Sequence, residues 1–307
     1  MIVIVCPGQG SQTPGFLEPW IAETSFREHL GALGDTAGID LLAHGTTSDA
    51  DTIRDTKIAQ PLIVAAGLLT LTALLADGRR SRVGGVAGHS VGEITAAAAS
   101  GILSEHDAMT FVRERGLAMA EAAALAPSGM SAVVGGDEAE LLATLATLGL
   151  EPANFNGGGQ IVVAGDLGAL EKLKDLAPRG ARVIPLQVAG AFHTQYMAPA
   201  VQHLRAVASS LTPADPTIPI WTNRDGGIVD AGPDFVDLLV GQVSSPVRWD
   251  RCMQSFHDAG VTGIIEVSPA GALTGLAKRG LKGVPAVAVK TPDDLPAAIE
   301  LLTGSAA

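Results

Sequence analysis

The chain has 307 residues, 47% of them apolar, 4% aromatic and 17% charged, with a formal net charge of -12. That length sets an expectation of one or two domains, and the apolar content supplies a core that excludes disorder and any need for disulfide staples. The acidity excludes broad nucleic-acid binding and docking on an anionic membrane, the few aromatics exclude base-stacking platforms, and the two cysteines, Cys6 and Cys252, fit a reducing compartment.

In chain order, the apolar run Ile2–Cys6, closed by Pro7-Gly8, reads as a buried strand. It has no basic flank and no cleavage site, so no address or anchor is expected. Residues 59–76 read as a long apolar helix. Its apolar stretch 62–76, about 15 residues with Thr70 and Thr72 inside, is short of the roughly 18 to 20 needed to span a bilayer. A soluble, cytoplasmic protein is expected. Residues 83–87 read as a second buried strand, running straight into Gly88-His89-Ser90-Val91-Gly92 and an alanine-rich helix to about Ser100. Ser104, with Asp107 three residues on, has capping-box spacing and opens a helix to about Ala124.

From Gly129 the pattern changes. A strand at 130–135, a helix at 137–148, strands at 152–156 and 160–165 around a glycine-rich turn, a helix at Leu167–Leu176 and a strand at 182–188 follow one another. The order β-α-β-β-α-β is that of a ferredoxin-like unit, here about 60 residues long. The alternation then resumes with a helix at 197–210, a strand at 218–222, a helix at 247–259, a strand at 262–267, a helix at 270–278 and a strand at 286–289. Thr291-Pro292-Asp293-Asp294 opens the last helix, with a cap, a first-turn proline and first-turn acids. The expectation is a main unit, 1–127 with 192–307, built on a mostly parallel sheet covered on both faces, and an inserted unit, 128–191.

The strongest chemical signal is G-x-S-x-G at Gly88–Gly92, lying between an apolar strand and a helix. A sharp turn there holds Ser90 at the carboxyl edge of the sheet, over a helix N-terminus that favours a developing oxyanion. The plain alternative is a glycine-rich turn with an idle serine. A nucleophilic serine needs a base. His29, His106, His203 and His257 lie within helical patterns, His44 lies in a polar loop, and His89 should point away from its neighbour Ser90. His193 sits at the junction back into the main unit and could face a site between the two units; the residues alone leave the choice of base open. Ser before His in the chain suits an α/β-hydrolase-type arrangement, although no acid member is obvious.

Arg115 falls on the apolar stripe of its helix, with Ala108, Phe111 and Met119. A charge on a buried face must be paired. The partner is either an internal carboxylate or the carboxylate of a ligand, for which the guanidinium fork is suited. Pro7-Gly8-Gln9-Gly10-Ser11-Gln12 lacks the spacing of both nucleotide fingerprints, but its backbone N–H groups could complete an oxyanion hole. No metal-ligand pattern is present and no metal is expected.

Together these landmarks resemble malonyl-CoA:acyl-carrier-protein transacylase. The matching segments are Pro7–Gln12, Ala59-Gln60-Pro61, Gly88-His89-Ser90-Val91-Gly92-Glu93, Arg115-Gly116, Asn154-Phe155-Asn156 with Gly159-Gln160, Ala191-Phe192-His193 and Ser245-Pro246-Val247, in order over nearly the whole chain. The resemblance implies an α/β-hydrolase-like core with an inserted ferredoxin-like domain. It implies that Ser90 is the acylated nucleophile, His193 its base, and the backbone N–H groups of Gln9 and Val91 the oxyanion hole. Arg115 would hold the malonyl carboxylate, Gln60 would line the pocket, and Gln242 would orient His193 through a main-chain carbonyl in place of an acid. Asn154 and Asn156 would border the site.

Phe192 before the histidine, with Val91 after the serine, resembles malonyl-selective members, where Phe192 would crowd an α-methyl branch. The resemblance implies no bound cofactor, with malonyl-CoA and phosphopantetheinylated acyl carrier protein as substrates, in a monomer serving fatty acid synthesis. The carrier protein is acidic, so docking needs a local basic patch: Arg79, Arg80 and Arg82, or Lys278, Arg279 and Lys282. Alternative readings are the same transfer in polyketide synthesis or malonate decarboxylation, a serine thioester hydrolase, and a non-catalytic acyl-binding scaffold.

Overall fold

A computed structural model describes residues 1–304; the last three residues of the expected 192–307 segment lie outside the described residues. The elements follow as β1 (Ile2–Cys6), α1 (Thr24–Ala37), α2 (Leu41–Thr46), α3 (Thr56–Leu74), β2 (Val83–Gly88), α4 (Gly92–Ser100) and α5 (Glu105–Ala123). Then come β3 (Ser128–Val134), α6 (Glu138–Leu148), β4 (Glu151–Gly157), β5 (Gln160–Asp166), α7 (Leu167–Leu176) and β6 (Arg182–Pro185). The remainder is α8 (Ala198–Ala208), β7 (Ile220–Trp221), α9 (Gly232–Gln242), α10 (Trp249–Asp258), β8 (Gly263–Glu266), α11 (Ala272–Gly280), β9 (Ala286–Ala288) and α12 (Leu295–Thr303).

Among the described residues, five strands form a parallel sheet in the order β7-β2-β1-β8-β9. The continuous apolar character of β1 follows from burial on both faces. Ile4 and Cys6 point into a core with Leu62, Val91 and Phe111, and Val3 and Val5 point into another with Trp249, Phe256 and Leu276. Burial pushes the thiols of Cys6 and Cys252 up, so both behave as small apolar side chains.

The second sheet is antiparallel, in the order β4-β5-β3-β6, with α6 and α7 connecting its strands. This is the ferredoxin-like order. On one face Val133, Ile161 and Val163 pack with Leu141 and Leu145 of α6 and Leu170 and Leu173 of α7. On the other face Met130, Ala132, Val162 and Ala164 join the main core. One edge is tied further: Val247 pairs with β4 through an isolated bridge at Asn154, with Phe155 N donating to Val247 O and Val247 N to Ala153 O, each at 2.9 Å.

Several elements differ from the sequence reading. The helix at α3 starts at Thr56, because the Asp55 side chain caps Lys57 N, and reaches 19 residues. It is thus long and apolar enough to cross a membrane, yet 78% of its most apolar window is buried inside the fold. Helix α1 bears out the helical pattern read around His29 without assigned bounds, α2 places His44 in a helix where a polar loop was expected, because the Asp40 side chain caps Ala43 N, and α9 occupies a stretch with no expected element. The helix read at 247–259 begins at Trp249, because Val247 is engaged by β4.

Candidate active site

The turn between β2 and α4 is tight. A Cβ on Gly88 would lie 2.0 Å from the Gly92 carbonyl carbon, and one on Gly92 would lie 2.1 Å from Cys6 O. Ser90 at its apex takes a left-handed backbone, φ 54°. A non-glycine residue held there costs on the order of 1–3 kcal/mol, compensated by the surrounding structure. Ser90 N donates to Asn223 Oδ1 at 2.8 Å, which helps to pin the turn.

His193 also has a left-handed backbone, φ 63°, and its N–H donates to Val243 O at 3.0 Å. Its Nε2 lies 2.7 Å from Ser90 Oγ and its Nδ1 lies 2.9 Å from Gln242 O. A carbonyl only accepts, so Nδ1 carries the proton and Nε2 presents its lone pair to the serine hydroxyl. Burial, then the Arg115 charge, push His193 down to about 3. The ring is therefore neutral at physiological pH and free to take a proton from Ser90.

Arg115, on α5, is 1% exposed. Its Nη1 donates to Gln60 Oε1 at 2.6 Å and its Nη2 to Gln242 Oε1 at 2.7 Å, with Ser90 Oγ 3.4 Å from Nη2. It takes part in none of the ion pairs among the described residues. Burial lowers it to about 10, so it remains a cation at neutral pH. Two neutral amides thus hold a buried charge beside a serine hydroxyl, an arrangement that suits an anionic ligand group.

A cavity of about 100 Å³ joins these groups. Ser90, His193, Arg115, Gln60 and Phe192 line it, as do Gln9, Val91 and Asn154. Among the described residues, neither Gln9 N nor Val91 N donates to a protein acceptor. Gln242 stands behind His193, outside the lining. Asn156 is also outside it. Its Oδ1 lies 2.9 Å from His89 Nε2 and its Nδ2 donates to Gln160 Oε1 at 3.0 Å. Sequence reasoning set His89 aside, whereas it is among the residues that line the cavity beside Ser90. It also gave no role to Glu93, which only closes a matching segment, or to Asn223; both hydrogen-bond around the turn. A carboxyl within the otherwise alanine-rich run 92–100 was a usable signal for Glu93; nothing local marked Asn223.

The two basic clusters differ. Arg79 caps the end of α3, donating to Leu74 O and Ala73 O and pairing with Asp77, and Arg80 donates to Thr217 Oγ1. Lys278, Arg279 and Lys282 are exposed.

A family model described as acyl transferase domain matches residues 3–294. The chain belongs to the acyl transferase family. Among the relatives of this acyl transferase is the malonyl CoA-acyl carrier protein transacylase of Mycobacterium bovis, 50% identical over 299 residues, which are 96% of this chain and 98% of the relative. The crystal structure of MCAT from Mycobacterium tuberculosis superposes with a TM-score of 0.94 at 48% identity, covering 97% of this chain and 99% of that one. A malonyl-transacylase solved in complex with its type II PKS acyl-carrier protein superposes at 0.92 with 30% identity, covering 98% and 99%. The acyl transferase fold, an α/β core with a parallel sheet and a separate antiparallel sheet, is therefore the one expected from the sequence.

Proposed function

We propose that this acyl transferase moves a malonyl group from malonyl-CoA to the phosphopantetheine thiol of acyl carrier protein, through a malonyl ester on Ser90. The observation that carries this reading is Arg115, a buried guanidinium 3.4 Å from the serine hydroxyl that makes no ion pair among the described residues, its nearest internal charge, Glu93, standing behind the Gln242 amide. His193 Nε2 takes the Ser90 proton as Oγ bonds to the thioester carbon. The carbonyl oxygen, now an oxyanion, rests on the Gln9 and Val91 amides, the latter at the positive end of α4. The C–S bond breaks and the departing thiolate takes the proton from His193. The carrier-protein thiol then attacks the ester by the same steps in reverse.

Gln242 O holds the imidazole tautomer, Gln60 anchors the guanidinium, and Asn154 borders the pocket. Asn156 acts at one remove, through His89. Phe192 narrows the pocket against an α-methyl branch, a discrimination of about 1–3 kcal/mol. The transfer serves fatty acid synthesis in this reading, with polyketide synthesis, the setting of the carrier-protein complex named above, as the alternative destination. The enzyme is a cytoplasmic monomer in this reading, with 128–191 as a unit inserted between 1–127 and 192–307, and it requires no bound metal or cofactor.

Mass spectrometry after mixing with malonyl-CoA tests the assignment. The expected outcome is one malonyl adduct on Ser90, absent in Ser90→Ala and discharged by acyl carrier protein. An adduct that persists in Ser90→Ala rejects the nucleophile, and steady release of free malonate without carrier protein rejects transfer in favour of hydrolysis.

A further inference from the structure

We infer that Glu93 is a positioning residue: through Gln242 it sets the donor–acceptor polarity that aims Arg115 at the acyl carboxylate. This rests on the reading of Arg115 given above. Glu93 is the second residue of α4 and is 1% exposed. Its Oε1 accepts from Asn223 N at 2.5 Å, and its Oε2 accepts from Gln242 Nε2. Asn223 spends both side-chain atoms on the turn, accepting from Ser90 N at 2.8 Å and donating to Gly88 O at 2.7 Å. Gln242 Nε2 also donates to Ser90 O at 3.0 Å, which leaves Oε1 for Arg115 Nη2 at 2.7 Å.

The chemistry of the pair explains why a carboxylate stands there. Both neighbours offer N–H donors, and an ionised carboxylate accepts from both. The Gln242 amide can sit either way round. Facing an acceptor, it turns its NH₂ toward Glu93 and Ser90 O, and its oxygen toward a guanidinium that can only donate. A neutral amide at position 93 has one acceptor atom for two donors. If that atom serves Asn223, its own NH₂ faces Gln242. Gln242 then turns its oxygen to position 93 and its NH₂ to Arg115, donor against donor. Arg115 loses one of its two anchors. Burial raises Glu93, the Asn223 and Gln242 bonds and the Arg115 charge pull it back toward the ionised form, and the balance stands at about 7. Its place in the first turn of α4 favours the anion as well.

The test is the ratio of kcat/KM for malonyl-CoA to that for acetyl-CoA. Both values come from one sample, so the folded fraction cancels. In Glu93→Gln the ratio is expected to fall at least tenfold. In an Arg115→Ala background the same change should leave the ratio unaltered, because Glu93 acts through Arg115. Equal losses for both substrates, or no loss, overturn the inference. Glu93→Asp keeps the charge but is one methylene too short to reach both donors, and it is read the same way if Glu93→Gln does not fold. Failure of both variants to fold assigns Glu93 a purely structural role and overturns the inference too. A wild-type enzyme that forms no Ser90 adduct, or shows no malonyl preference, sinks the functional reading itself and this inference with it.

Discussion

The His193 ring gives its Nδ1 proton to a main-chain carbonyl and lies buried near the Arg115 cation. Both burial and that cation oppose a charged imidazole, so the folded protein keeps His193 neutral down to about pH 3, while an unfolded histidine protonates near 6.5. Between those values the unfolded state binds the extra proton. The His193 contribution is whole above pH 6.5 and is lost as pH falls through the window. Glu93, raised from 4.5 to about 7, acts in the opposite sense: its folded form holds the extra proton, so acidification through that range favours folding. His193→Gln removes the first effect and keeps the second. Measured by urea unfolding from pH 6.5 to 4, the variant should gain stability relative to wild type by up to about 1.4 kcal/mol per pH unit. A pH-independent difference would show that the histidine is not held neutral. Arg115 was legible in the sequence because a charge interrupts an apolar stripe. The neutrality of its two amide partners was not, since Gln60 and Gln242 lie 55 and 127 residues away.

At the scale of elements, the β2–α4 turn is where strand, turn and helix meet with no room for a side chain. Gly88→Ala would force a Cβ to about 2.0 Å from backbone atoms of the next helix, which no rotamer can relieve. Overpacking of a core costs about 1–3 kcal/mol, and backbone obstruction should reach the upper end or beyond. Thermal unfolding of Gly88→Ala is expected to show a clear drop in Tm with loss of acyl-serine formation; an unchanged Tm would mean the turn can open. This element was readable because its motif and both flanking patterns agree. Strands β1 and β2 were readable because burial on both faces leaves an unbroken apolar run. Helix α1 was legible only as a helical pattern around His29, without bounds: Gly31 and Gly34 lower its helix propensity, and its polar residues dilute the apolar stripe. The strand read at 218–222 is present as β7 but shortened to the two residues that pair with β2.

At the scale of the whole molecule, the proposed function has an acidic chain meet a carrier protein that the resemblance implies is acidic too. The cluster Arg79, Arg80 and Arg82 is a poor candidate for that contact, since Arg79 and Arg80 already serve the fold. Lys278 and Arg279 at the end of α11, with Lys282 beyond it, are exposed, and Arg279 packs beside Gly158 of the inserted sheet's turn. Reversing Lys278 and Arg279 to glutamate should weaken the carrier-protein half-reaction several-fold, more at low salt, while acyl-serine formation from malonyl-CoA is unchanged. Stopped-flow or gel-shift kinetics of the two half-reactions separate these outcomes, and equal rates for the carrier half-reaction reject the patch.

The proximity of Arg115 to His193 also links selection to rate. In the empty site the guanidinium charge makes the imidazole a poorer base. On the proposed role of Arg115, a substrate carboxylate seated on it offsets that contribution, while the larger one, from burial, remains. A neutral acyl group leaves the field in place. On that proposal, the preference for a charged acyl group falls partly on the chemical step as well as on binding, and a competitor without the charge reacts more slowly.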